Sequence, residues 1–169
     1  GDSLTFTGGL GTTGNASNPS SFTAAGVINT TNTQADLGAI TVNGVNQGLT
    51  IDTGTGAGAL NIASITGADG GGTNDITLIS GTGVTTVTGN IGTTIDDLTL
   101  QENAGTSTGL VDLQGTVTAA TLLTFAQGYA VTMTGATVAI TDDTNFVNTG
   151  ITTLGNATAD SLTFTGGLG

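Results

Sequence analysis

Residues 2–11 read DSLTFTGGLG and residues 160–169 read the same, so a ten-residue stretch returns intact after 158 residues. Composition alone does not produce such an identity. It restricts the chain to architectures that extend by repetition, in which each layer buries its faces against its neighbours. On this reading residues 1–158 are one tandem repeat unit of a β-solenoid and residues 159–169 are the start of the next copy.

A shorter pattern, apolar-x-apolar-x-Gly with Thr allowed in first place, recurs inside the unit. It occurs as Phe22-x-Ala24-x-Gly26, Ile40-x-Val42-x-Gly44, Thr85-x-Val87-x-Gly89, Val111-x-Leu113-x-Gly115 and Val131-x-Met133-x-Gly135. Leu60-x-Ile62-x-Ser64 and Thr152-x-Leu154-x-Asn156 are degenerate copies. The copies lie 18 to 28 residues apart and predict about seven coils per 158-residue unit. A second alternating run follows in most coils: Leu49-x-Ile51, Ile76-x-Leu78, Leu98-x-Leu100, Leu123-x-Phe125 and Leu162-x-Phe164. Alternation of period two sets these residues on one face and the intervening Thr on the other, the signature of a half-buried strand. The Gly after the first run suits a kink, since Gly reaches positive φ without steric cost.

The expected fold is therefore all-β, a parallel β-helix (β-solenoid). Its coils would stack at roughly 4.8 Å, giving a rod of roughly 34 Å per unit. Phe6, Phe22, Phe125, Phe146 and Phe164 are the expected large members of a narrow aliphatic core. Residues 11–20 and 67–75 read as loops projecting from the rod, and residues 119–126 favour strand over a helical turn.

Composition limits the chemistry more sharply than any motif. The chain has no Lys, Arg, His, Cys or Trp, 30 Gly, one Pro and 39 Thr, and its 12 carboxylates give a formal charge of −12. No salt bridge can form between side chains. A polyanion of this kind repels phosphate backbones and anionic membrane surfaces, which argues against nucleic-acid binding. No apolar run reaches the roughly 18 residues of a spanning helix, so no membrane insertion is expected in this segment. Apolar residues at 36% are too many for a disordered Gly/Thr linker.

The Thr/Gly/Asn-rich strand repeats, the missing cysteines and the tandem organisation resemble the repeat regions of giant bacterial surface adhesins, of the filamentous-haemagglutinin and autotransporter type. The resemblance covers the whole chain and is one of style. It implies a bacterial, extracellular, cell-surface protein with a structural job.

Without His, Cys, Lys or Arg, the chain cannot assemble a Ser-His-Asp triad, a thiol nucleophile, a Schiff base or a phosphate clamp. Paired carboxylates suffice for a glycosidase, and Asp96-Asp97, Asp142-Asp143 and Thr73-Asn74-Asp75 superficially echo the motifs of β-helical pectin-degrading enzymes. Those enzymes also use His and basic residues, so the expectation is that the chain is not an enzyme and requires no cofactor. Calcium is the stronger site hypothesis, because hard cations take several oxygen ligands. The candidates are Asp69, Asp75, Asp96, Asp97, Asp142 and Asp143, with Glu102 in a similar loop, and Gly70-Gly71-Gly72-Thr73-Asn74-Asp75 lies close to a known calcium repeat. Solvated turn carboxylates are the plain alternative. Thr-x-Thr pairs such as Thr86 and Thr88 raise ice binding, but Thr is also an ordinary residue of exposed sheet faces. Asn15, Asn29 and Asn156 open glycosylation sequons that this composition produces by itself.

The expected function is a structural repeat of a long extracellular fibre, sheath or adhesin stalk extending from the cell surface. Its partners would be further copies of the same repeat joined end to end, covalently in tandem, with lateral contacts between fibres. Two other functions stay open: a noncovalently polymerised filament subunit, and a glycan- or calcium-binding adhesin module.

Overall fold

A computed structural model describes residues 3–8, 10–11, 22–68, 71, 73–92, 94–102 and 105–169. The described residues form an all-β solenoid in which every strand pairing is parallel, with about six turns. Each complete coil carries three strand segments, one in a six-stranded sheet A and two in an eleven-stranded sheet B.

Sheet A stacks β1 (Ser3–Thr5), β3 (Gly26–Asn29), β5 (Gly48–Asp52), β7 (Asn74–Ile79), β10 (Ile95–Leu100) and β13 (Thr121–Leu123) in that order. After each of these the chain turns and enters sheet B. There β4 (Ala35–Val42) and β6 (Leu60–Gly67) each run straight through two segments. In later coils the same path is split into pairs: β8 (Thr85–Val87) and β9 (Ile91–Gly92), β11 (Leu110–Leu113) and β12 (Val117–Ala119), β14 (Ala130–Met133) and β15 (Thr137–Ile140), then β16 (Thr152–Leu154) and β17 (Ser161–Phe164). The short β2 (Phe22–Ala24) pairs with the second half of β4.

Inward residues stack on like residues of the next coil. In sheet A, Leu49, Ile76 and Leu98 form one column, and Ile28, Ile51, Leu78 and Leu100 another. In the first half of sheet B, Leu60, Thr85, Val111, Val131 and Thr152 are in register, as are Ile62, Val87, Leu113, Met133 and Leu154. These are the residues that the apolar-x-apolar-x-Gly pattern aligned. Burial of such aliphatic columns, at about 25 cal/mol per Å² removed from water, is the main force holding coil on coil.

Five details differ from the sequence expectation. The copies at Phe22 and Ile40 do not belong to this column, because Leu60 pairs with Ala35 and Ile62 with Leu37. Phe22 and Ile40 instead begin a column in the second half of sheet B, continued by Ile65, Ile91, Val117, Val138 and Leu162. The eight-residue β4 alternates throughout its length, so either half matches the pattern. The seven members of that second column enclose about six complete turns within the chain.

The run Leu123-x-Phe125 is shifted by one residue, since Leu98 pairs with Leu122, which is buried, while Leu123 is exposed. Leu162-x-Phe164 lies in sheet B rather than sheet A. The repeated Gly also works differently from the expected kink. Gly44 and Gly26 have positive φ, but Gly89, Gly115 and Gly135 do not. A Cβ on Gly115 would overlap the Gly89 carbonyl and one on Gly135 would overlap the Gly115 carbonyl, so these glycines permit close stacking of backbones.

Finally, among the described residues the one fully buried aromatic is Tyr129, whereas Phe6, Phe146 and Phe164 are only partly buried against the core. The Phe125 side chain is half-buried, and that of Phe22 lies outside the described residues. Residues 119–126 contain the end of β12 and the whole of β13, so the strand reading of that region holds. Of the two expected loops, residues 12–20 lie outside the described residues, while Gly67 closes β6 and Asn74 opens β7.

Candidate functional site

The carboxylates are placed by the outward positions of the strands and by a bulge. Ile95 pairs with Asn74 and Leu98 with Ile76, so Asp96 and Asp97 together face the single residue Asp75. Two residues opposing one is the mark of a β-bulge. The result is a group of three carboxylates, Asp75, Asp96 and Asp97, whose oxygens lie within 4.8 Å of one another. The Asp97 backbone N–H donates to Asp75 Oδ1 at 3.3 Å. Partial loss of hydration against the sheet pushes the Asp75 carboxyl above its ordinary value. The Asp97 N–H pulls the other way, and the charges of Asp97 and Asp96 add to the rise.

The seam continues along the axis. Asp97 pairs with Thr121, and Thr121 Oγ1 donates to Asp142 Oδ2 at 3.1 Å. Three oxygens could form one face of a cation site, and calcium would draw its other ligands from water or carbonyls.

Of the six calcium candidates, the structure thus brings together Asp75, Asp96 and Asp97. Asp142 reaches the seam through Thr121, Asp143 lies in the adjoining turn, and Asp69 lies outside the described residues. Glu102 is an exposed residue beyond the end of β10 and joins no such group among the described residues.

Elsewhere carboxylates accept from neutral donors. Asp36 Oδ1 takes Asn61 Nδ2 at 2.6 Å and Gln34 Nε2 at 2.7 Å. Asp52 takes the Gly54 N–H at 2.7 Å, Asp112 takes Gln114 Nε2 at 2.7 Å, and Asp160 takes the Asn156 and Ala157 N–H groups. Amides thus occupy the place that cationic side chains hold in most proteins. The outward column Asp36, Asn61, Thr86, Asp112, Thr132 and Thr153 mixes acid, amide and hydroxyl, so Thr86 and Thr132 are not part of an unbroken Thr array.

Sequence reasoning missed an internal polar column at the corner between the sheets. Gln101 is fully buried, with φ of 59°. Its Oε1 accepts from the Ser80 N–H at 3.0 Å and the Gly81 N–H at 3.2 Å, and its Nε2 donates to Ser80 Oγ at 2.9 Å. Thr53 Oγ1 donates to the Gly58 carbonyl at 2.6 Å in an equivalent corner. Buried Asn148 donates to the Tyr129 carbonyl at 3.2 Å. Nothing in a one-dimensional pattern marks a lone Gln or Asn as internal.

The two ends of the solenoid carry open strand edges. Among the described residues, β17 pairs only with β15, and β2 only with β4. Ile151, Leu162 and Leu168 are exposed around the end that carries β17, where Phe146 and Phe164 meet edge to face at 6.4 Å. No protein-family model, curated protein or solved structure matches the chain.

Proposed function

We propose that the chain is a structural repeat of a long extracellular fibre, sheath or adhesin stalk, with covalent tandem copies joined end to end. One observation carries this reading. The second column of sheet B steps 18 residues from Phe22 to Ile40. Placing a second copy after the repeated decapeptide makes the step from Leu162 to that copy's Phe22 also 18 residues. The column then continues across the junction with a step the fold already uses. The mechanism is mechanical: parallel backbone hydrogen bonding along the axis, aliphatic columns inside, and polar ladders of Thr, Asn and Asp outside.

A location outside the cell, on the style of the bacterial adhesins, fits a chain that depends on no thiol and contains no Lys or Arg for trypsin-like proteases. The charge of −12 keeps neighbouring rods apart at low salt, and divalent cations would draw them together.

Two measurements on source cells test this. Antibody raised against the chain should decorate surface filaments, and denaturing electrophoresis should give a product far larger than the 16.2 kDa of this chain. Label confined to the cell interior would contradict the reading. A 16.2 kDa band from purified filaments would replace covalent tandem copies with a noncovalent polymer.

A further inference from the structure

The repeated decapeptide occupies two different seats. Its first copy forms β1 in sheet A, where Ser3, Leu4 and Thr5 pair with Val27, Ile28 and Asn29 and Leu10 bridges to Ala35. Its second copy forms β17 in sheet B, where Ser161, Leu162, Thr163 and Phe164 pair with Thr137, Val138, Ala139 and Ile140 and Leu168 bridges to Thr144. Identical sequence is thus one strand position out of phase around the coil.

In a tandem array these two copies are one segment, the end of one unit and the start of the next, and it can take only one seat. We propose that every junction uses the sheet B seat, and that the exposed edge of β17 is the docking surface for the Phe22–Ala24 strand of a second copy of this chain. The sheet A seat of β1 is then a free-end arrangement, vacated when a unit precedes. This inference rests on the tandem reading above and adds its register.

Three observations favour the sheet B seat. Among the described residues it supplies four register pairs against three, and it adds the Phe146–Phe164 contact. It covers the edge of β15 above Val138 and Ile140 within the same unit. It also extends both inward columns of that half-sheet. One would run from Val138 through Leu162 to the next Phe22, and the other from Ile140 through Phe164 to the next Ala24. Burial of Leu162 beneath the incoming strand removes an exposed apolar side chain that the isolated chain leaves at its end.

The test uses a two-unit chain, residues 1–169 followed directly by a second copy's residues 12–169. The sequence has no cysteine, so introduced thiols are the only ones present. One version carries Ala139→Cys with Thr163→Cys, which are outward neighbours in the sheet B seat. The other carries Thr163→Cys with Asn29→Cys in the second copy, which are neighbours in the sheet A seat because Thr163 is also that copy's Thr5. Dibromobimane, which fluoresces only when both its arms have reacted, spans about the separation of adjacent strands.

In the 169-residue chain, Ala139→Cys with Thr163→Cys and Thr5→Cys with Asn29→Cys should both fluoresce. In the two-unit chain only the Ala139 and Thr163 pair should, with loss of signal from the other. Fluorescence from the pair including the second copy's Asn29, or from neither pair, overturns the proposal. Thr137→Cys with Ser161→Cys offers a second pair in the sheet B seat should the first variant fold poorly. Electron microscopy of the same two-unit chain separates the two claims. Two beads in place of one lengthened rod sink the fibre reading itself, whereas a lengthened rod with the wrong cross-link sinks only the register.

Discussion

The Tyr129 hydroxyl donates to the Leu100 carbonyl at 3.2 Å and accepts from the Phe125 N–H at 2.8 Å. One buried phenol thus ties the turn after β13 to the end of β10 in the preceding coil. Tyr129→Phe keeps the ring but leaves a buried carbonyl and N–H unpaired, which costs about 1–3 kcal/mol. Tyr129→Ala adds a cavity and should cost about 3–5 kcal/mol, by analogy with other large aromatics. Equilibrium denaturation of the two variants should rank them in that order. The ring is wholly buried, so the only Tyr of the chain is not offered to a glycan.

Leu122 and Leu123 are adjacent but face opposite ways. Leu122→Ala should cost about 2–5 kcal/mol, whereas Leu123→Ala on the exposed face should stay within about 0.5 kcal/mol. The midpoint of urea unfolding measures both. Equal losses would mean that β13 is one residue out of register.

Gly135→Ala should be strongly destabilising, because the added methyl meets the Gly115 carbonyl, a fixed backbone atom of the neighbouring coil. Gly92→Ala is the control, since a Cβ there meets nothing within 4 Å. That change should be neutral or stabilising by about 0.4–1 kcal/mol through the unfolded chain. Thermal unfolding of the pair should separate them by sign.

Asp75 gives a pH dependence of unusual direction. Its folded-state pKa is raised above the ordinary 3.8. The fold therefore favours the protonated form, and the group's contribution to stability falls as pH rises through the carboxylate range toward the folded value. Asp75→Asn should stabilise the protein at neutral pH, with the advantage disappearing as pH falls below the ordinary Asp value. Denaturation midpoints of wild type and variant against pH measure the difference. An advantage that grows on acidification would contradict the assignment.

The fold class was legible because inward residues repeat with period two and at matching places in successive coils, as Thr85, Val111, Val131 and Thr152 do. What escaped was the phase. In β4 both Ala35-x-Leu37 and Ile40-x-Val42 alternate, and only pairing with β6 decides which half a coil matches. At Thr121-Leu122-Leu123-Thr124 either leucine fits the pattern, and the partner strand makes the choice. The Asp75, Asp96 and Asp97 group was visible as residues but not as a cluster, because a bulge between Ile95 and Leu98 brings them together. Gln101 and Tyr129 carried no signal at all, since their burial depends on carbonyls and N–H groups supplied by neighbouring coils.

The central claim is that these coils continue from copy to copy as one rod. Cryo-electron microscopy of filaments from the source tests it most directly. The account predicts layers at roughly 4.8 Å, strands across the axis, and an axial repeat of roughly 34 Å for each 158-residue unit. Isolated globular particles, or strands running along the axis, would contradict it.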